Sequence, residues 1–417
     1  MAVSAPTLSH AFPIGSRLNE RGVLEIGGCD ALELAREFGT PAYVVAEDDL
    51  RARARRMLAA YRAHAADVDV LFASKAFPCT AVLRVFAEEG LGCDVASGGE
   101  LRLALAAGID PGRIYVHGNA KSVGELRAAV VAGVRCIVVD NDGEIDRLEE
   151  IVTGTQRVMI RVTPDVRGET HAAISTGQAD SKFGFSMDEA PEAIARLRAS
   201  DRLELVGVHY HVGSQLLSTM PFERAAEAVA RLGDFPVVNV GGGLGVAYTD
   251  EEPPSFEDYA RAKVEAVARH LGPGKRIVAE PGRALVAHST VTLYTVESVK
   301  RNVSLWVGVD GGMSDNLRPM LYGARYEAHV VDRFGGTTRC HVAGKHCESG
   351  DVIVRDALLD DPRVGDVLVT PATGAYGHAL ANNYNGVPRP PVVFAKDGDA
   401  RVVVRRETYE DLLARDV

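Results

Sequence analysis

A lysine closes an apolar run in Val68-Asp69-Val70-Leu71-Phe72-Ala73-Ser74-Lys75-Ala76-Phe77, and a helical stretch follows from about Pro78. At the carboxyl end of a buried strand a lysine sits at the mouth of a β/α structure, where partial desolvation favours the neutral, nucleophilic amine. Such an amine forms a Schiff base with an aldehyde; the plain alternative is a surface lysine at a strand terminus. Other apolar runs also end in polar groups: Asp94, His117 with Asn119, Arg161, His209 and His211 with Ser214, Gly241-Gly242-Gly243, and Glu280 with Arg283. Each alone has an ordinary use as a satisfied core or rim group. Their recurrence at successive strand ends points to one shared face.

The turn Gly241-Gly242-Gly243-Leu244-Gly245 follows Val237-Val238-Asn239-Val240 directly, and glycines after a strand let backbone N–H groups approach an anion. It is not a GxGxxG fingerprint and lies late in the chain, so a dinucleotide is disfavoured and phosphate is the expected guest. Tight turns need glycine anyway, but Ser214 at a neighbouring strand end strengthens the reading. An amine for an aldehyde and a cradle for a phosphate are the two handles of pyridoxal 5'-phosphate. Glu280 would then keep the pyridine nitrogen protonated, making the ring a strong electron sink, and His211 would lie against the ring face. A strong sink favours decarboxylation at Cα.

The elements that must position these groups read clearly. From about residue 40 to 285, β-type runs alternate with helical patterns: Ala42–Val45, Val70–Ala73, Cys93–Ala96, Ile114–His117, Cys136–Asp140, Val158–Val162, Leu205–His211, Val237–Val240 and Ile277–Ala279. Such alternation signals parallel βαβ units, and the expected fold is α/β plus all-β, with a PLP-binding (β/α)8 TIM barrel over residues 41–285. A doubly wound open sheet is the alternative. The nine runs exceed the eight staves of a barrel, and Ala42–Val45 is placed at the junction with a second domain. After residue 285, Thr290–Val299, Ser304–Val309, Tyr326–Val331, Thr338–Val342, Val367–Thr370, Pro391–Phe394 and Arg401–Arg405 read as strands of an all-β second domain over residues 286–417. Residues 1–40, with Gly22–Ile26 as a strand, are expected to pack with it.

The chain has 417 residues and a formal net charge of -11, which argues against nucleic acid or an anionic membrane as a partner and for a small substrate. Six scattered cysteines form no CxxC pair and no zinc-like spacing, so neither a disulfide framework nor a structural metal is indicated. With no signal-like start and no apolar run of membrane-spanning length, a cytoplasmic protein is expected.

Taken together, Phe72–Phe77, Cys93-Asp94 to Glu100, Asp180–Phe185, His209–Gln215, Gly241–Gly245, Glu280-Pro281-Gly282-Arg283, Val309–Asn316, Arg318–Tyr322, Gly344–Asp351 and Gly374-Ala375-Tyr376 with Tyr384-Asn385 resemble the diaminopimelate decarboxylase family of fold type III, alanine racemase-like PLP enzymes. The resemblance runs from about residue 20 to the C-terminus. It implies a PLP-binding (β/α)8 barrel with a C-terminal β-sandwich domain, a homodimer with active sites at the interface, and decarboxylation of meso-2,6-diaminopimelate to L-lysine, the last step of lysine biosynthesis. Lys75 would carry the cofactor; Ser214, Gly241, Gly242, Gly243 and Tyr376 would bind its phosphate; Asp94, Arg161, His211 and Glu280 would surround it. Arg283, Arg318 and Tyr322, with Tyr376 nearby, would grip the distal carboxylate of the substrate and Glu348 its distal ammonium. Cys347 of the neighbouring subunit would return a proton to Cα. A substrate ending in an amino-acid zwitterion needs both signs of charge, whereas a lysine- or ornithine-type diamine would call for carboxylates alone. Phe77, where many members have asparagine, and a short stretch between Gln215 and Gly241 depart from the family pattern. A decarboxylase of the same scaffold acting on another amino acid or a carrier-tethered aminoacyl group is the alternative.

Overall fold

The computed structural model describes residues 7–166 and 181–417. The chain divides into two compact units: Arg53–Val246 with Glu252–Arg283, and Met1–Ala52 with Ala247–Glu251 and Ala284–Val417.

The first unit is a closed parallel barrel. Its eight strands are Val68–Ala73, Gly92–Val95, Ile114–Val116, Cys136–Val139, Gln156–Thr163, Leu203–Tyr210, Val237–Asn239 and Arg276–Ala279. Each pairs in parallel with its neighbours, and Ile277–Ala279 against Val68–Val70 closes the ring. These strands read as unbroken apolar runs because both faces are buried, one by barrel side chains and one by helices. The helix Thr80–Glu88 shows the packing: Val82, Leu83, Val85 and Phe86 are buried, and the Phe86 ring lies 4.3 Å from that of Phe72 in the preceding strand. Helix Val123–Ala132 starts at a capping box formed by Ser122 and Glu125 and stops at Gly133, which adopts a left-handed φ of 71°.

The second unit is built on the strand Thr290–Arg301. Its first half pairs antiparallel with Ala42–Ala46 and with Val367–Thr370, and its second half with Leu305–Val309. Ala42–Ala46 therefore belongs to this mixed sheet, flanked on its other side by the parallel strand Val392–Lys396, and the unit begins before residue 41 and runs to Ala52. Thr338–Ala343 and Val352–Leu359 extend the sheet. Val352–Leu359 was not anticipated: its burial pattern does not alternate cleanly, with Arg355 and Asp356 exposed side by side. The short strands Arg17–Leu18, Leu24–Ile26 and Cys29–Asp30 form a separate antiparallel sheet. Leu24 and Ile26 share a core with Val44, Val291, Leu293, Val369 and Val393. Full burial of each such side chain contributes about 1.5–3 kcal/mol, so Leu293→Ala at this centre costs about 2–5 kcal/mol.

Candidate active site

In the barrel unit, Lys75 sits on a single turn, Ser74–Ala76, directly after strand Val68–Ala73. Its side chain is 49% exposed and its Nζ stands 4.0 Å from Oδ2 of Asp94, a residue of the next strand. Ser74 Oγ and the Ala96 N–H both donate to Glu100 Oε2, tying the two strand ends together. Burial pushes the Asp94 carboxyl up to about 6, with His117 opposing the shift.

Glu280 is the electrostatic centre of this face. Asn239 Nδ2 donates to its Oε1 at 2.6 Å, His117 Nε2 lies 2.7 Å from the same oxygen, and His209 Nε2 lies 3.2 Å from Oε2. Burial disfavours the carboxylate, but His117 and His209 outweigh it and hold the pKa well below the usual range. His209 is itself held down to about 3 by burial, against the pull of Glu280. Glu280 is thus a buried, ionised acceptor.

His211 is held neutral, its pKa well below the ordinary imidazole value because of burial and then the positive charges of Lys75 and Arg161. The Gly242 N–H donates to its Nδ1 at 3.2 Å, so the neutral ring carries its proton on Nε2. Arg161 is buried, with Nε 3.9 Å from Asp140 Oδ1 and its guanidinium 4.4 Å from the Phe183 ring centre. Phe183 belongs to the stretch that begins at Asp180; Asp180 itself lies outside the described residues.

The glycine turn is pressed against its neighbours. A Cβ at Gly242 would meet Glu280 O at 2.4 Å, and one at Gly243 would meet Gly213 O at 2.8 Å, so only glycine fits. Gly241 N–H donates to Asn239 Oδ1 at 3.0 Å; with the Gly242 N–H on His211, two of the three expected phosphate amides serve internal acceptors. Ser214 Oγ accepts from Arg283 at 3.1 Å, which joins a residue expected at the phosphate to one expected at the substrate.

In the second unit, Arg318 opens the short helix Arg318–Tyr322. Its buried guanidinium lies 4.4 Å from the Tyr248 ring centre and hydrogen-bonds the Tyr326 hydroxyl. Tyr322 is one turn along, and a Cβ at Gly350 would stand 3.4 Å from Met320 Cε, placing this helix against the loop of Cys347 and Glu348. Both Cys347 and Glu348 are exposed within the chain. The loop is braced by Asp351, whose Oδ2 accepts from the His346 N–H at 3.0 Å and lies 2.7 Å from His346 Nδ1, and by Asn385 Oδ1, which accepts from the Cys347 N–H at 2.8 Å. Tyr376 holds a left-handed φ of 64°, a strained conformation for a non-glycine residue.

Sequence reasoning named His117 and Asn239 only as parts of strand ends, and missed Tyr248, Tyr326 and Lys263 altogether. A signal for Lys263 was present: in helix Phe256–His270 it falls on the buried stripe of Phe256, Tyr259, Ala260, Val264 and Val267, where a lysine needs a reason.

An amine, an ionised buried carboxylate, a neutral imidazole and a glycine turn on one barrel face form a donor set that fits pyridoxal 5'-phosphate, and they define a PLP enzyme on a (β/α)8 barrel. Residues 47–287 match the family described as pyridoxal-dependent decarboxylase, pyridoxal binding domain. The chain is 47% identical over 421 residues to a diaminopimelate decarboxylase of Actinosynnema pretiosum subsp. auranticum, covering 97% of this chain and 95% of that one. It is 45% identical to the Bacillus subtilis diaminopimelate decarboxylase, covering 96% and 97%. A solved diaminopimelate decarboxylase of M. jannaschii in co-complex with L-lysine superposes with a TM-score of 0.91 at 34% identity, covering 97% of this chain and 98% of that one. The chain belongs to the diaminopimelate decarboxylase family, a branch of the PLP-dependent decarboxylases.

Proposed function

We propose that the protein decarboxylates meso-2,6-diaminopimelate to L-lysine and CO2, the last step of lysine biosynthesis. The observation that carries the chemistry is Glu280, kept ionised by His117, His209 and Asn239 on the face that presents Lys75. When bound, pyridoxal phosphate supplies a sink for the electron pair left on Cα as the carboxylate departs. Lys75 Nζ would take the cofactor's aldehyde. Glu280 would keep its ring nitrogen protonated, and His211, held neutral, would add no charge beside it. Asp94 and Arg161 would flank them, and Ser214, Gly241, Gly242, Gly243 and Tyr376 would seat the phosphate.

Arg283, Arg318 and Tyr322, with Tyr376, would take the distal carboxylate, Glu348 would take the distal ammonium, and Cys347 Sγ would hold the proton that returns to Cα. The flat guanidinium of Arg318, stacked on Tyr248, is suited to a carboxylate fork. The exposure of Cys347 and Glu348 within the chain supports their service to the active site of a second copy in a homodimer. A cytoplasmic setting is part of this reading, supported by six unpaired thiols; among the described residues no helix is long and apolar enough to cross a membrane.

The test is CO2 release from meso-, LL- and DD-diaminopimelate, lysine and ornithine by the purified protein with added PLP. Strong preference for the meso isomer with lysine as product is expected. Equal turnover of lysine or ornithine would refute the substrate assignment while leaving the decarboxylase chemistry in place.

A further inference from the structure

Lys263 is a fully buried lysine directly behind the glycine turn, with 1% of its surface exposed. Its Nζ donates to three consecutive carbonyls, Val240 at 2.8 Å, Gly241 at 2.9 Å and Gly242 at 2.7 Å, and has the Tyr259 hydroxyl as a fourth partner at 2.8 Å. The rings of Phe222 and Tyr259 each stand 4.5 Å away. Four oxygens in one buried shell hold the amine in a single place. Burial pushes the lysine pKa well down, and Glu280 is the charge that opposes the shift.

A trans peptide points its C=O and N–H in opposite directions. With the carbonyls of residues 240–242 turned onto Lys263, the amides of residues 241–243 must face the other side of the turn. Two of them fix Asn239 Oδ1 and His211 Nδ1. The lysine therefore braces the turn in one orientation.

We propose that Lys263 is a positioning residue for the cofactor's phosphate, orienting the Gly241–Gly243 peptides through the carbonyls it holds. The inference rests on the turn being the phosphate seat. The same contacts couple phosphate occupancy to the two polar anchors of the ring, because Asn239 holds Glu280 and His211 is held by Gly242.

The test compares affinities of the cofactor-free protein for PLP and for pyridoxal, which lacks the phosphate, in wild type, Lys263→Met, Lys263→Gln and Ser214→Ala. For Lys263→Met and Lys263→Gln, PLP is expected to bind ~10- to 100-fold more weakly, with pyridoxal little changed, so the preference for the phosphorylated form shrinks. Equal weakening of both ligands, or of neither, would overturn the proposal in favour of a structural role. If Ser214→Ala loses the preference and the lysine variants keep it, the turn seats the phosphate and the lysine's role falls. If all three variants keep it, the seat itself is wrong and the lysine's role falls with it. Should the lysine variants not fold, the Lys263 Nζ nitrogen resonance of the unmodified protein decides. A resonance that moves on adding PLP but not on adding pyridoxal supports coupling of the lysine to the phosphate, and one indifferent to both refutes it.

Discussion

Glu280→Gln isolates the charge of the buried carboxylate at almost constant shape. In the native site Oε1 accepts from Asn239 Nδ2 at 2.6 Å and Oε2 meets His209 at 3.2 Å. A glutamine keeps its oxygen toward Asn239 and turns its amide toward His209, whose depressed pKa of about 3 leaves a neutral ring able to accept. Hydrogen bonding is therefore largely preserved, and the melting temperature should stay within a few degrees, equivalent to ~1 kcal/mol. What disappears is the negative charge proposed to face the cofactor's ring nitrogen. A hydrogen bond to a charged group contributes ~1.5–3 kcal/mol, and without that charge the ring nitrogen loses its proton as well, so kcat should fall at least ~10- to 100-fold. The assay is CO2 release at saturating PLP and diaminopimelate, beside the melting temperature and the absorbance of bound cofactor. A variant that folds, binds PLP and retains a rate within about twofold of wild type would refute the role given to Glu280.

Lys75→Ala should abolish both turnover and the absorbance of covalently held cofactor. Because the Lys75 side chain is 49% exposed, the fold should change by no more than ~0.5 kcal/mol in thermal unfolding; persistence of the absorbance would mean that another amine holds the cofactor. Glu348→Ala should lower kcat/KM for diaminopimelate by ~10-fold or more while leaving PLP affinity unchanged, and an unaltered rate removes it from substrate recognition. Arg318→Lys should raise KM at least ~10-fold, since an ammonium cannot reproduce the flat stack on Tyr248 together with a two-pronged contact to a carboxylate; a KM equal to wild type would argue that Arg318 only packs. Burial, opposed by the Tyr294 hydroxyl and the Gly312 N–H, raises the Asp315 carboxyl from 3.8 to about 7. The folded protein thus holds a proton that the unfolded chain releases, a contribution to stability complete below the lower value and lost as pH rises through the upper one, up to roughly 4 kcal/mol. Melting temperatures of wild type and Asp315→Asn should therefore diverge between about pH 4 and about pH 8, wild type losing more; a constant difference across that range would show that Asp315 does not carry the linked proton.

Much of this protein was written in local patterns. The βα alternation, the polar residues that close the strands and the glycine turn are short-range features, and the barrel's geometry is regular enough that strand ends meet on one face whatever lies between them. Lys75, Glu280, His211 and the turn could therefore be expected on one face, and the structure brings them together there. Non-local pairing was the first thing beyond reach. Ala42–Ala46 reads like another barrel strand, yet it pairs antiparallel with Thr290–Arg301 and parallel with Val392–Lys396, because the competition among buried apolar strands is settled by partners hundreds of residues away. The electrostatics of the site were the second. That Glu280 stays ionised follows from His117, His209 and Asn239 arriving from three other strands, and that the glycine amides are oriented from behind follows from a lysine on the core stripe of a helix. Residue types announce which groups can do chemistry; burial, which only the tertiary structure sets, decides their charge and which partners orient them.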